Sequence, residues 1–280
     1  MDSFFQLHHE SLSLAGLDRS YTVLHISDVH LHEFDAASSR EERETAIKSN
    51  RHWEKQRLKF GERFHESMSK NHLVTMTGYF ERFVKLINQL SPDVVVITGD
   101  LMEAHSDANI RYLSRQLPKI KVPVLLVQGN HERDDHAAWN LLYGPHPEWQ
   151  TLNVGKLKLI ALNNSQHTVS REAVLALVAE ASANDGQVPV LCTHIPFCTP
   201  DCAAFWDTME PYFTIRQDDC DTDSTAFFNY FLSPACPITL NLCGHIHGRS
   251  TTTLCAGKQQ MTASSAMLGG CMLLTLMPKL

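Results

Sequence analysis

The sequence predicts a mixed α/β protein in which two stacked β-sheets are covered by helices. From residue 21 to residue 243, short runs of apolar and β-branched residues alternate with amphipathic helical patterns. From residue 249 onward, the runs RSTTTLC, QQMTAS and CMLLTL follow one another with no helical pattern between them. Such a succession indicates an antiparallel end to a mixed sheet. Strands and helices in this order are typical of layered α/β folds.

The predicted elements begin with residues 3–20, a strand or extended arm that leads into a buried strand at residues 21–26. A strongly charged segment at residues 33–78 carries Phe60, Phe64 and Met68 at four-residue steps, which favours a helix with a narrow apolar stripe. An amphipathic helix at residues 79–90 follows. The remaining predictions are strand 93–97, helix 106–117, strand 122–127, helix 134–142, hairpin 149–162, helix 170–184, strand 188–193, helix 223–232 and strand 238–243.

Potential metal ligands follow five of the predicted strands. They are Asp28 and His30, then Gly99-Asp100, then Gly129-Asn130-His131-Glu132, then His194, and finally Gly244-His245-Ile246-His247. Binding sites in open α/β sheets are expected at the carboxyl ends of strands. Glycine at three of these ends lets the backbone turn sharply and come close to a ligand. The pattern therefore predicts one shared site.

These five blocks, in this order, resemble those of the calcineurin-like metallophosphoesterases, and they span residues 28–247. The resemblance implies a four-layer α/β/β/α sandwich of two mixed β-sheets flanked by helices, as a single domain at residues 1–280. It also implies a ligand set for two divalent metal ions. Asp28, His30 and His247 would hold one ion, Asn130, His194 and His245 the other, and Asp100 would bridge both.

The resemblance further implies that a metal-bridging hydroxide attacks phosphorus, with Asp100 and His131 as catalytic residues. Oxygen and imidazole donors without thiolate suit Mn, Fe, Co or Zn, and they do not choose among these metals. His131 is expected to protonate or hydrogen-bond the leaving oxygen, and the alternative is that it only packs or orients Asn130. Glu103 and Glu132 are expected to orient imidazoles. His32 is expected to be a surface residue.

Composition limits the partners and the location. The chain has 24 basic and 31 acidic residues and a formal net charge of -7, which argues against a duplex nucleic acid partner. No signal peptide and no apolar run of roughly 18 residues is visible, so we expect no membrane span. The eight cysteines lie between Cys192 and Cys271 and are expected to be reduced thiols in a cytoplasmic protein. The oligomeric state stays open.

The substrate prediction depends on where the chain departs from the branches of the family. The sequence has GDLMEA at residues 99–104 and Gln128 before Gly129, which matches the phosphoprotein phosphatase branch poorly. The run VLCTHIPF at residues 190–197 resembles a bacterial branch that includes cyclic-nucleotide phosphodiesterases and lipid A precursor pyrophosphatases. A small phosphodiester is therefore the predicted substrate. The alternatives are a phosphomonoesterase or nucleotide pyrophosphatase, and a non-catalytic scaffold with the same fold.

Two segments are predicted to border the metals. Residues 33–78 would form a helical cap insertion, and their alternative role is a surface or oligomer contact. Residues 197–236 would form an active-site cap loop whose aromatic side chains either stack on the substrate or pack the cap itself. Those side chains are Phe197, Phe205, Trp206, Tyr212 and Phe213.

Overall fold

The computed structural model of the protein describes residues 5–63, 76–132, 142–143, 148–183 and 185–279. Its strands are β1 Gln6–Leu14, β2 Tyr21–Ile26, β3 Val94–Thr98, β4 Val124–Val127, β5 Trp149–Val154, β6 Leu157–Leu162, β7 Val188–Cys192, β8 Phe197–Cys198, β9 Ile215–Arg216, β10 Leu240–Cys243, β11 Ser250–Cys255, β12 Lys258–Thr262 and β13 Gly270–Pro278. Its helices are α1 Arg40–Arg63, α2 Met76–Leu90, α3 Asp107–Gln116, α4 Arg171–Ala181, α5 Ala203–Trp206 and α6 Thr222–Phe231. Short 3-10 turns lie at Leu117–Lys119, Pro211–Phe213 and Ala266–Leu268.

The strands form two large mixed sheets and one small pair. The first sheet has the order β1-β13-β2-β3-β4, and the second has the order β11-β12-β10-β7-β6-β5. Strands β2, β3 and β4 are parallel to one another, as are β12, β10, β7 and β6. The predicted hairpin is confirmed by the antiparallel pairing of β5 with β6. Strands β8 and β9 pair separately.

The prediction of one antiparallel end formed by the three last strands is wrong for β13. Strands β11 and β12 are antiparallel in the second sheet, as expected. Strand β13 instead lies in the first sheet, where it is parallel to β1 and antiparallel to β2. The chain crosses between the sheets through the 3-10 turn at Ala266–Leu268. An apolar run shows that a strand is buried, but it does not show which of two stacked sheets receives the strand.

Alternation along the strands explains the four layers. In β2, Val23 belongs to an apolar cluster shared by the two sheets, whereas Leu24 and Ile26 belong to a second cluster with α2 and α3. In β6, Leu159 faces the other sheet, and Ile160 packs in a third cluster with α4 and α6. Successive side chains of a strand point to opposite faces, so each sheet has one face on the other sheet and one face under helices. The predicted four-layer α/β/β/α architecture is confirmed.

Helix α1 lies inside the charged segment and is mostly exposed. It begins with a capping box in which the Ser39 hydroxyl accepts from the Glu42 N–H at 3.2 Å and the Glu42 carboxylate accepts from the Ser39 N–H at 2.6 Å. The predicted stripe of Phe60, Phe64 and Met68 lies outside the described side chains. The predicted helix at 134–142 lies almost entirely outside the described residues. No helix in the described ranges is long and apolar enough to cross a membrane.

Candidate metal centre

The seven predicted ligands lie together at one end of the sandwich, where strands of both sheets finish. Asp28 and His30 follow β2, Asp100 follows β3, Asn130 follows β4, His194 follows β7, and His245 and His247 follow β10. Because these strands run in parallel within each sheet, their carboxyl ends meet at the same edge. The two sheets face each other, so both contribute side chains to one cluster.

The backbone at this cluster is unusual. Five of the seven residues have a φ in the left-handed region: Asp28 at 55°, His30 at 53°, Asp100 at 48°, His245 at 69° and His247 at 57°. A residue with a side chain rarely adopts this conformation, which costs about 1–3 kcal/mol at each position. The strain is opposed by hydrogen bonds between the loops, since the His30 N–H donates to the Asp100 carbonyl at 2.8 Å. Such a concentration of strain is typical of functional sites.

Two glycines allow the strand ends to approach each other. A Cβ atom on Gly99 would lie 2.3 Å from His194 Nδ1, and a Cβ atom on Gly129 would lie 2.1 Å from the Asp100 backbone nitrogen. Any side chain at either position would push a predicted ligand out of place. Gly99 also has a φ of 86°, which favours glycine. The glycines predicted from the sequence are therefore needed for close contact.

The first half-site consists of Asp28, His30, His247 and Asp100, which each offer a ligand atom within 4.8 Å of the others. His30 Nε2 lies 3.0 Å from His247 Nε2 and 3.8 Å from Asp100 Oδ2. His247 Nε2 lies 3.5 Å from Asp28 Oδ1. Two imidazole nitrogens thus face each other among carboxylate oxygens. Imidazole and carboxylate donors that converge in this way fit a divalent cation.

The second half-site consists of Asp100, Asn130, His194 and His245. His194 Nε2 lies 3.3 Å from Asp100 Oδ2 and 2.9 Å from Asn130 Oδ1. The other nitrogen of His194 is bonded to the Thr98 carbonyl at 2.8 Å, so Nδ1 carries the hydrogen of the neutral ring. In the neutral ring, His194 Nε2 and the two oxygens are then all acceptors, and this arrangement fits a cation.

The pKa values of two buried groups reflect the carboxylates gathered at this site. Burial raises the pKa of Asp28 to about 6. Burial alone would lower the pKa of His194, but the charge of Asp100 outweighs it and raises the pKa of His194 to about 9. In the metal-free protein a proton on His194 therefore takes the place of the cation. Buried charged groups need such a partner because they have lost water.

Side chains support the first half-site. His30 Nδ1 lies 2.9 Å from Glu103 Oε2, which turns His30 Nε2 toward the cluster. The same oxygen accepts from Trp53 Nε1 at 2.5 Å and lies 3.2 Å from His131 Nδ1. Burial alone would raise the pKa of Glu103, but hydrogen bonds from His131 and His30 lower it to about 2. Glu103 therefore has the orienting position that the sequence predicted.

Backbone carbonyls support the second half-site. His245 Nε2 lies 3.2 Å from the Tyr212 carbonyl, which leaves His245 Nδ1 as the nitrogen available to a metal. His194 is oriented by the Thr98 carbonyl, and its backbone N–H donates to Asn164 Oδ1 at 3.0 Å. Asn164 was not predicted from the sequence. It follows β6, and no glycine or neighbouring ligand marks it.

Two predictions about nearby side chains are corrected. Among the described residues, Glu132 contacts backbone groups rather than an imidazole; its carboxylate accepts from the N–H groups of Met102 at 2.9 Å and Gly129 at 2.7 Å. His32 is not a surface residue, because it is only 7% exposed. Helix α1 packs over the loop after His30, and Asn50 of that helix donates to the His32 carbonyl at 2.9 Å.

His131 is oriented from one side and open on the other. Its Nδ1 lies 3.0 Å from the Glu103 carbonyl oxygen, and its backbone N–H donates to Asp100 Oδ1 at 3.0 Å. Its side chain is 31% exposed and borders a cavity of about 370 Å³ that Glu103, Ala104 and Asn130 also line. Because Nδ1 is engaged, Nε2 is the nitrogen that can meet a bound molecule.

The five aromatic residues of the predicted cap loop divide into two groups. Phe197, Trp206 and Phe213 are buried in the apolar cluster of the second sheet, so they pack the protein itself. Phe205 and Tyr212 are exposed, by 40% and 56%. Only Tyr212 of these two has a described ring contact with a predicted ligand, 6.0 Å between centroids from His245.

The comparisons with known proteins agree with this geometry. A family model described as calcineurin-like phosphoesterase matches residues 21–249, a range that contains all seven predicted ligands. A dimetal phosphatase from Danio rerio has a similar structure, with a TM-score of 0.57, 12% identity and 89% of each chain covered. A purple acid phosphatase from yellow lupin has a TM-score of 0.51 and 13% identity over 92% of this chain and 46% of that one.

No curated protein sequence matches significantly. At these identities the two solved structures show a shared fold and nothing more. The family match covers most of the chain, from β2 to the residues just after His247. The chain therefore belongs to the calcineurin-like phosphoesterase family.

Proposed function

We propose that this protein is a hydrolase of phosphoesters that uses two divalent metal ions, most readily Mn, Fe, Co or Zn. The proposal is carried by one observation: the Asp100 carboxylate belongs to both half-sites. When bound, such a pair of ions supplies Lewis acidity and a water molecule of lowered pKa. The donor set fits these metals because it has oxygen and imidazole ligands without thiolate.

The chain's own residues favour a phosphate group at this site. Asp28 and Asp100 are the only acidic residues among the seven proposed ligands, so two divalent ions would leave a local positive excess. This excess attracts a phosphate even though the whole chain carries a net charge of -7. Asp100 would fix the spacing of the two half-sites, because its Oδ2 lies near Nε2 of both His30 and His194.

His131 is the proposed proton donor to the leaving oxygen. Its Nδ1 is held by Glu103, which directs Nε2 toward the open cavity beside Asn130. A group that protonates the leaving oxygen must lie within hydrogen-bond reach of the substrate, and Nε2 has the freedom to do so. The alternative role, in which His131 only orients Asn130, fits the engagement of its Nδ1 and its partial exposure less well.

A small phosphodiester is the proposed substrate. Tyr212 supports this choice, because an exposed ring beside His245 can stack on a base or another flat group. Helix α1 supports it at the first half-site, since Trp53 of that helix contacts Glu103. Side walls of this kind suit a small molecule better than a folded phosphoprotein or a duplex. A phosphomonoester or a nucleotide pyrophosphate remains the second candidate.

The same proposal includes the organisation of the chain. Residues 33–78 would act as a helical cap and residues 197–236 as an active-site cap loop within one domain at residues 1–280. Excision of residues 33–78 should change substrate preference more than metal content, and an unchanged preference would favour a surface or oligomer-contact role. A cytoplasmic location is also proposed, and the eight free cysteines support it.

The decisive experiment is turnover by the Mn-loaded protein on four panels: cyclic and linear small diesters, monoesters, nucleotide pyrophosphates, and phosphopeptides. We expect the highest kcat/KM on small diesters. The control is His245→Ala, which removes one proposed ligand and should abolish turnover. No turnover above that control on any panel would support the scaffold alternative. A clear preference for phosphopeptides would overturn the small-diester proposal.

A further inference from the structure

In its part with described side chains, helix α1 packs on the protein along one narrow stripe. Of its described side chains, only Ala46 and Trp53 are buried, with exposures of 0% and 7%. Asn50 lies between them, so the three residues have the spacing i, i+4 and i+7 of one helix face. Both polar members of this stripe contact the loops that carry predicted metal ligands. Asn50 donates to the His32 carbonyl, and Trp53 donates to Glu103.

Trp53 makes two distinct contacts with the first half-site. Its ring stacks on His30, with centroids 4.1 Å apart and an angle of 29° between the planes. Its Nε1 donates to Glu103 Oε2 at 2.5 Å, and the same oxygen lies 2.9 Å from His30 Nδ1. The indole therefore touches one face of the imidazole and also binds the carboxylate that orients it. The Trp53 and His247 rings also meet edge to face, with their centroids 5.5 Å apart.

The chemistry of indole explains why these contacts matter. A glutamate side chain has several rotatable bonds, and its carboxylate can turn away from a histidine. The indole N–H is a donor only, on a rigid ring with two torsion angles, so it holds an acceptor in one place at small entropic cost. Trp53 thus fixes Glu103, and Glu103 fixes His30. Ala46 is the only other buried side chain in the described part of α1, so the indole is a main contact of this helix with the site.

We propose that Trp53 is a positioning residue for the metal ligand His30, acting through Glu103, and that it couples the docking of α1 to metal binding. The inference rests on the proposed function, because it assigns His30 to a metal. Coupling between two events is reciprocal. If Trp53 strengthens metal binding, then a bound metal must also strengthen the docking of α1.

The first test is a calorimetric titration of the metal-free protein with Mn²⁺. The variant Trp53→Phe keeps a ring over His30 but lacks the N–H. It should bind one of the two ions about 10-fold more weakly, since loss of an outer partner costs roughly 10–100-fold in metal affinity. The ion that binds more weakly should be the one whose binding is abolished by His30→Ala. Trp206→Phe, at a buried tryptophan in another apolar cluster, is the matched control and should leave both affinities unchanged.

The second test separates action through Glu103 from general packing. In a double-mutant cycle, Glu103→Gln alone should lower the affinity for the same ion. Trp53→Phe should add little to that loss of affinity when the two changes are combined. Additive losses would overturn the route through Glu103. Wild-type Mn²⁺ affinity for both ions in Trp53→Phe would overturn the inference altogether, while the proposed function would stand. A wild-type protein that binds no Mn²⁺ would overturn both.

The third test starts with the wild-type protein, so its main comparison does not depend on how a variant folds. Hydrogen exchange of the α1 amides is measured in the wild-type protein with and without Mn²⁺. Docking through Trp53 predicts slower exchange across residues 40–63 when the metal is bound, and Trp53→Phe should lose most of this difference. Identical exchange with and without metal in the wild-type protein would contradict the coupling.

Discussion

The two half-sites share Asp100, but they are held in place by different kinds of contact. In the first, His30 is oriented by the side chains of Glu103 and Trp53. In the second, His194 and His245 are oriented by backbone carbonyls, those of Thr98 and Tyr212. All of these supports come from other parts of the chain, but a supporting side chain depends on the residue type, whereas a supporting carbonyl is part of the backbone of any residue.

Because of this difference, the two half-sites should respond differently to substitution of their supporting residues. A carbonyl stays in place when its residue is substituted, so the second half-site should tolerate changes at the supporting positions. The first half-site should be sensitive, because its supports can be removed one by one. It should also respond to the position of α1, since Trp53 belongs to that helix.

The largest effect is expected from Asp100→Asn, which changes the residue common to both half-sites. The variant keeps the size of the side chain but loses its charge. Both metal affinities should fall by more than the roughly 10–100-fold typical of supporting residues, and turnover should fall with them. Calorimetric titration with Mn²⁺ measures both affinities. A loss of affinity for only one ion would show that the two half-sites do not share Asp100.

The next largest effect is expected from His131→Ala. His131 depends on Glu103 for its orientation but is not among the proposed ligands, so both ions should stay bound. Its loss should lower kcat by roughly 10²–10⁴-fold, the usual range for a general acid. The comparison of substrates with good and poor leaving groups is the measurement. A general acid predicts a smaller loss for good leaving groups, and equal losses would indicate a structural role.

The contrast between the half-sites is tested most directly by Glu103→Gln with Thr98→Val as its counterpart. Glu103→Gln should lower the affinity for the ion at the first half-site by roughly 10–100-fold and leave the affinity for the other ion unchanged. Thr98→Val keeps the carbonyl that orients His194 but removes the hydroxyl that contacts buried His25 at 2.8 Å. It should therefore leave both metal affinities unchanged.

Thr98→Val should nonetheless lower the free energy of unfolding by about 1–3 kcal/mol, because His25 loses a buried partner. Chemical denaturation of the metal-free protein measures this cost. Two results would contradict the division between side-chain and carbonyl support. One is an equal loss of affinity for both ions in Glu103→Gln. The other is a loss of affinity for the ion at the second half-site in Thr98→Val.

The sequence predicted the ligands because each of them follows a short apolar strand. Strand ends that run in parallel must meet, so Asp28 and Asp100 could be placed at one edge before any distance was known. The glycines at positions 99 and 129 carried a second signal, since both remove a side chain where two loops cross. These are local features, and local features can be read from a single sequence.

The supports could not be predicted because they depend on distant pairs. Trp53 and Glu103 are 50 positions apart, and Trp53 occurs in a charged helix outside the predicted stripe of Phe60, Phe64 and Met68. The left-handed backbone at His30 and His247 was also hidden, because neither position is a glycine. The burial of His32 follows from the docking of α1 over its loop, which is likewise a tertiary feature.

The smallest effect is expected from Tyr212→Ala, which tests the substrate-facing side of the second half-site. Its carbonyl continues to orient His245, so both metal affinities should stay unchanged. Its exposed ring is lost, and stacking of this kind is worth about 0.5–1.5 kcal/mol. KM for a diester that carries a base should therefore rise roughly 3- to 10-fold, while KM for a glycerol phosphodiester without a ring should stay constant.

Phe205→Ala is the matched control for Tyr212→Ala, because Phe205 is also exposed and its described ring contact is with Trp206. It should change neither KM. If Tyr212→Ala raised KM equally for diesters with and without a ring, the side chain would shape the site rather than stack on the substrate. If it weakened metal binding instead, the Tyr212 carbonyl would depend on its own side chain for position. The second half-site would then be as sensitive to substitution as the first.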